Sequence, residues 1–231
     1  MMLCDRQLHL WWADLNQFMP QLAKLKSCLC VDELERSQRF HFDEHRHYFI
    51  LARGLLRSLV AQYLKVHPSE IQFTYSQRGK PAVAVPKSDL NFNLSHSQNY
   101  ALYGFALNAP VGVDLEAIRP LNDLDGLAKR FFLPSEYQQI QRTPISEQPY
   151  TFFRYWTYKE AYLKAMGEGL AGLEQAEIQL TENGAQVSDR AWSLYPLTPA
   201  PGTVAAVAIE GNNWQLVQQQ AIAKNETLLT R

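Results

Sequence analysis

The chain has 231 residues, a mass of 26.5 kDa, and 22 Lys plus Arg against 23 Asp plus Glu, for a formal charge of −1. That length suits one large domain or two small ones, and an apolar content of 46% is enough to bury a core, which excludes wholesale disorder. The balanced charge argues against a general nucleic-acid binder, and three cysteines (Cys4, Cys28 and Cys30) are not a disulfide framework.

The first fifteen residues include Asp5 and Arg6 and lack the apolar stretch of a secretory signal. No apolar run reaches the roughly 20 residues that span a bilayer. The longest, 100–113, is broken by Asn108 and Pro110. A cytoplasmic protein without membrane or nucleic-acid partners is expected. In chain order, residues 31–39 read as a short helix. Asp43 reads as the N-cap of a longer one, with Tyr48, Leu51, Ala52, Leu55, Leu59, Val60 and Tyr63 on one face and Pro68 beyond its end. The period then changes. Residues 71–75 read as a strand, followed by a turn at 78–81. Strands at 90–94 and 100–107 are joined by a loop at 95–99. Asn108-Ala109-Pro110 is the best domain junction, giving lobes 1–109 and 110–231. Beyond it come a strand at 111–115 and helices at 124–132, 134–142 and 150–166, the last closed by Gly167 and Gly169. Strands follow at 176–180, 191–195, 204–209 and 214–218. Short links favour antiparallel pairing, so the fold class is α+β rather than a Rossmann sheet.

Four groups of residues could carry chemistry. In Gly112-Val113-Asp114-Leu115-Glu116 the two acids share one strand face, with Cβ atoms about 7 Å apart. They repel unless a cation lies between them, and Mg²⁺ suits such oxygen ligands. Taken alone, the pair is more often two solvated carboxylates at a strand end. Glu160 and Lys164 are four apart on the last helix and share a face; alone they are a surface ion pair. Asn93-Leu94-Ser95-His96 enters a loop near Arg78 and Lys80, where an anion could bind or where the polar groups could simply satisfy the loop. Arg36, Arg39, Arg46, Arg53 and Arg57 concentrate positive charge, and an arginine fork suits phosphate. His41-Phe42-Asp43-Glu44-His45 also fits the inverted zinc-peptidase pattern. It lacks a marked third ligand, and a cap at Asp43 would leave His41 outside the helix.

In order and spacing these motifs resemble the 4′-phosphopantetheinyl transferases, in the longer, two-lobed surfactin-type class. The likeness runs from about residue 36 to 170. It rests on Arg-Gly-Lys-Pro at 78–81, Asn-Leu-Ser-His at 93–96, Gly-Val-Asp-Leu-Glu at 112–116, Trp-Thr-Tyr-Lys-Glu-Ala-Tyr-Leu-Lys at 156–164 and Gly-Glu-Gly-Leu at 167–170, with Ala-Lys-Arg-Phe-Phe at 128–132 between the two acidic motifs. Ala161 stands where related sequences often carry Ser.

The resemblance implies two similar lobes related by a pseudo-twofold, each a small, mainly antiparallel sheet packed with a long helix. It implies a holo-[acyl-carrier-protein] synthase type activity, in which the phosphopantetheine arm of coenzyme A moves to a serine of an apo acyl or peptidyl carrier protein and adenosine 3′,5′-bisphosphate leaves. By the same likeness Asp114, Glu116 and Glu160 hold Mg²⁺, or Mn²⁺ in its place. Arg36, Arg46, Arg53, Arg78, Gly79, Lys80, Asn93, Leu94, Ser95, His96 and Lys164 meet coenzyme A. Glu160 and Lys164 carry the chemistry, with Glu160 as base, metal ligand or both. A monomer is expected. The alternative is a non-catalytic module of the same fold that binds coenzyme A or a carrier protein.

Overall fold

The computed structural model describes residues 2–169, 172–173, 176–223 and 229–230. In the first half, β1 (Gln7–Asp14) leads through a 3₁₀ turn to helices α1 (Leu22–Lys26), α2 (Val31–Gln38) and α3 (Asp43–Leu64). The hairpin β2 (Gln72–Tyr75) and β3 (Pro81–Val85) follows, then β4 (Leu90–Ser97) and β5 (Tyr100–Leu107). The second half holds β6 (Val111–Ala117), α4 (Leu124–Phe131), α5 (Pro134–Arg142) and α6 (Gln148–Met166), then β7 (Ile178–Thr181), β8 (Gly184–Val187), β9 (Trp192–Leu197), β10 (Thr203–Glu210), β11 (Gln215–Ile222) and β12 (Leu229–Thr230). Among the described residues no helix is long and apolar enough to cross a membrane.

The apolar stripe on α3 dictates its packing. Leu51, Leu55, Leu59 and Val60 are fully buried against the sheet residues Trp11, Tyr103 and Phe105. The expected cap at Asp43 is corrected: Phe42, with extended backbone, is the N-cap, and Asp43 is the first helical residue. There its carboxylate pairs with Arg46 at 2.8 Å and complements the positive end of the helix dipole. Helix α3 stops at Lys65, which adopts the left-handed conformation, with Pro68 beyond.

The fold is α+β, as expected, with one long helix on a small sheet in each half. The first sheet has the order β12-β11-β1-β5-β4 and the second β6-β10-β9. Helix α6 packs Ala161, Ala165 and Tyr158 against Ala206 and Ala208 of β10. A third cluster joins the two sheets, with Leu8, Leu10 and Leu102 meeting Val111, Val113 and Val207.

Two departures stand out. Residues 215–222, expected in the second lobe, return to the first sheet. There β11 runs parallel to β1, pairing Gln7 with Gln215 and Trp12 with Gln220. And Ser95, His96 and Ser97 are not loop: β4 continues through them to a tight turn at Gln98 and Asn99. Of the expected Gly-Glu-Gly-Leu segment, Leu170 lies outside the described residues.

One buried ion pair ties α5 and α6 together. Lys159 Nζ donates to Glu136 Oε2 at 2.8 Å and to the Leu173 carbonyl at 2.7 Å. Glu136 also accepts the backbone N–H groups of Leu133 and Ile178. Removing one member leaves the other charge buried and unpaired, so Lys159→Met is expected to lose about 3 kcal/mol. A thermal melt would show it, and adding Glu136→Gln should recover part of the loss. An unchanged melt for the single variant would contradict the pairing.

Candidate active site

Strand alternation and helical spacing converge on one cleft. Ser95 and Ser97 share a face of β4, Asp114 and Glu116 share a face of β6, and Glu160 and Lys164 share a face of α6. Ser95 Oγ donates to Asp114 Oδ1 at 2.9 Å, and Ser97 Oγ donates to Glu116 Oε2 at 2.9 Å. Lys164 Nζ donates to the same Asp114 Oδ1 at 2.6 Å and to Ser95 Oγ at 3.1 Å. Arg119 holds Glu116 Oε2 at 3.0 Å. The hydroxyls explain why the strand continues past Leu94: each is spent on a carboxylate of the neighbouring strand instead of on its own turn. Ser97 and Arg119 were not among the expected site residues. For Ser97 the signal was available, as the residue two beyond Ser95 on a strand.

Two carboxylate oxygens in this cleft are buried without a hydrogen-bond partner, Asp114 Oδ2 and Glu160 Oε1. Burial pushes Glu160 up to about 7, and the Asp114 charge adds to the shift while Lys164 opposes it. Burial also raises Asp114, against the pull of Lys164. The carboxylates therefore lie close enough to repel, with one ammonium to offset them. The cleft has a volume of about 630 Å³, and Asp114, Glu116, Glu160 and Lys164 line one side of it.

Arg36, Arg53, Arg78, Gly79, Lys80, Asn93, Leu94, Ser95 and His96 line the same cleft. Their side chains are not equally free. Asn93 Oδ1 accepts the Val113 N–H at 2.9 Å and joins β4 to β6. Lys80 Nζ donates to the carbonyls of Val111 and Ala165, at 3.1 and 2.9 Å, and burial lowers its pKa to about 8. Its ammonium thus holds the β2–β3 turn against β6 and the end of α6. Gly79 takes the left-handed backbone (φ 81°) that this turn needs. The Arg36 guanidinium lies over the Phe49 ring. Arg46 is not in the cleft lining; it bonds to Asp43 and to the Phe40 carbonyl.

Among the described residues no three His, Cys, Asp or Glu side chains are drawn together as a metal cluster. The zinc pattern at His41 and His45 gains no third ligand, and both rings pack on Phe42. Asp114, Glu116 and Glu160 share the cleft with Lys164 bonded to one of them.

Two family models and several relatives match the chain. A model described as 4′-phosphopantetheinyl transferase superfamily matches residues 110–207, and one described as 4′-phosphopantetheinyl transferase, N-terminal, matches residues 12–105. The chain is 48% identical over 217 residues to the 4′-phosphopantetheinyl transferase HetI of Nostoc sp., covering 92% of each protein. It is 34% identical to the 4′-phosphopantetheinyl transferase psf-1 of Bacillus pumilus, over 71% of this chain and 69% of that one. It is 31% identical to the 4′-phosphopantetheinyl transferase Sfp of Bacillus subtilis, over 71% and 72%.

Proposed function

This chain belongs to the 4′-phosphopantetheinyl transferase superfamily, and from that membership we propose that it moves the phosphopantetheine arm of coenzyme A to a serine hydroxyl of an apo acyl or peptidyl carrier protein. The observation that carries the reading is the pair of unpartnered, buried carboxylate oxygens beside Lys164.

The chemistry follows from these groups. The serine oxygen forms a bond to the phosphorus that bears the pantetheine arm. The pyrophosphate P–O bond breaks, and adenosine 3′,5′-bisphosphate leaves with the electron pair. Glu160 is placed to take the serine proton, directly or through a water that it orients, or else to hold the cation. Lys164 is placed to offset charge on the leaving phosphate. Arg36, Arg78 and His96 line the part of the cleft suited to the anionic nucleotide end. The donor set fits a hard divalent cation: Asp114, Glu116 and Glu160 offer only oxygen, and two of those oxygens lack partners. Bound there, Mg²⁺ would neutralise charge on the pyrophosphate.

In this reading residues 1–109 form the nucleotide-side lobe and 110–231 the catalytic lobe, which lends β11 back to the first sheet. Both walls of the cleft come from one chain, so a monomer suffices. Incubation with coenzyme A, Mg²⁺ and a panel of apo carrier proteins should add about 340 Da to a carrier, a value set by the transferred group in a phosphoryl displacement. Tight coenzyme A binding with no mass gain on any carrier would instead favour a non-catalytic binding module.

A further inference from the structure

The cleft wall made by α2 and α3 is held by a carboxylate that the proposed chemistry does not use. Glu33 on α2 is 2% exposed. Its Oε1 accepts from Arg53 Nε at 3.0 Å and from Arg53 Nη2 at 2.8 Å. Its Oε2 accepts from Arg57 Nε at 2.6 Å and from the Cys30 N–H at 3.1 Å. Four donors fill the acceptor capacity of one carboxylate. Arg53 Nη2 also donates to the Tyr75 hydroxyl at 2.6 Å.

Glu33 and Tyr75 occupy the Nε and Nη2 side of the Arg53 guanidinium. Nη1 has no partner among the described residues, and Arg53 lines the cleft. The fork is therefore fixed in rotation, with one nitrogen left over. The charge balance points the same way. One carboxylate meets two guanidiniums, so the buried cluster carries an excess of one positive charge. An uncompensated buried charge is costly, and an anion in the adjoining cleft would offset it. Glu33 also lies one turn before Arg36, another cleft residue, and pins α2 to α3 through both arginines.

We propose that Glu33 and Tyr75 are positioning residues, which orient Arg53 and hold Arg36 against the phosphate groups of coenzyme A. This rests on the function proposed above. Tyr75 is 41% exposed, so Tyr75→Phe removes one hydrogen bond with little risk to the fold. The expected result is a rise of about tenfold in both KM and Kd for coenzyme A, with kcat within about twofold of the parent, since the bond lost positions a binding group in ground and transition states alike. Glu33→Asp keeps the charge but draws the carboxylate back from both arginines; checked for folding by circular dichroism, it should weaken coenzyme A binding further, and adenosine 3′,5′-bisphosphate should show the same order of affinities in calorimetry. Unchanged KM and Kd in Tyr75→Phe, or a fall in kcat at constant KM, would overturn the positioning role. Absence of coenzyme A binding by the parent protein would overturn the function itself, and that result is read on the parent alone.

Discussion

Glu160→Gln is expected to slow transfer to a carrier protein by about 10²–10⁴-fold, the usual worth of a general base. The same variant should be more stable than the parent at about pH 8. Glu160 has a pKa of about 7 in the folded chain, against 4.5 for an unburied glutamate. The folded state therefore holds the proton more tightly than the unfolded one. Stability from this group is fully present below about pH 4.5 and is lost as pH rises through about 7. Above that the fold carries a desolvated carboxylate beside Asp114. Glutamine has no charge to desolvate. Allowing for partial solvent access and for a new buried amide, the gain is about 1–2 kcal/mol at about pH 8, shrinking towards zero near pH 4.5. Melts of both proteins in a chelator, at the two pH values, would measure it. A variant that is both inactive and less stable at about pH 8 would show that Glu160 supports the fold rather than burdening it.

Gly112→Ala should cost more in stability than any other single methyl group in the cleft region. Gly112 lies on β6, two residues before Asp114. A Cβ there would overlap the Ala161 carbonyl oxygen and the backbone of Ala165 on α6. Those atoms are main chain, so no rotamer change can relieve the clash, and the helix must move off the strand. Overpacking of this kind costs about 3 kcal/mol or more. For a chain of this size that is a fall in Tm of roughly 6–12 °C. Activity should fall with it, because the 2.6 Å bond from Lys164 to Asp114 crosses the same seam. Gly104→Ala is the control, since its Cβ would meet side-chain methyls of Val113 and Val111 instead of main chain. Equal melting temperatures for the two variants would remove the argument.

The long helices were legible because their apolar residues recur with the helical period, and Leu51, Leu55 and Leu59 are the buried stripe that the pattern predicts. The acidic motifs were legible because strand alternation and i, i+4 spacing are local rules. Strand β1 was not read. Leu8, Leu10 and Trp11 are all buried, so the segment lacks the alternation of a half-exposed strand, and its parallel partner is about 200 positions away. The loop expected at 95–99 failed for a different reason. Serine, histidine and asparagine favour turns, but here Ser95 and Ser97 spend their hydroxyls across strands. Lys80 reads as a phosphate ligand by type, and only the fold reveals two carbonyls on its ammonium. Glu33 gives no signal in the sequence, because pairing with residues 20 and 24 positions later leaves no periodic trace.

The parallel union of β1 with β11 governs when the molecule can come into being. During synthesis β1 emerges before its partners, pairs with β5 once that strand is made, and presents a bare edge until residues 215–222 arrive. The first half therefore stays unfinished until the second has been made. Such distant pairings are slow, and an open strand edge invites contact with other chains in the meantime. A chain cut off just after β10 would keep every carboxylate of the cleft, yet would leave the N–H and C=O groups of β1 bare along one flank. Premature stops late in translation are thus expected to yield aggregates rather than weakened enzymes.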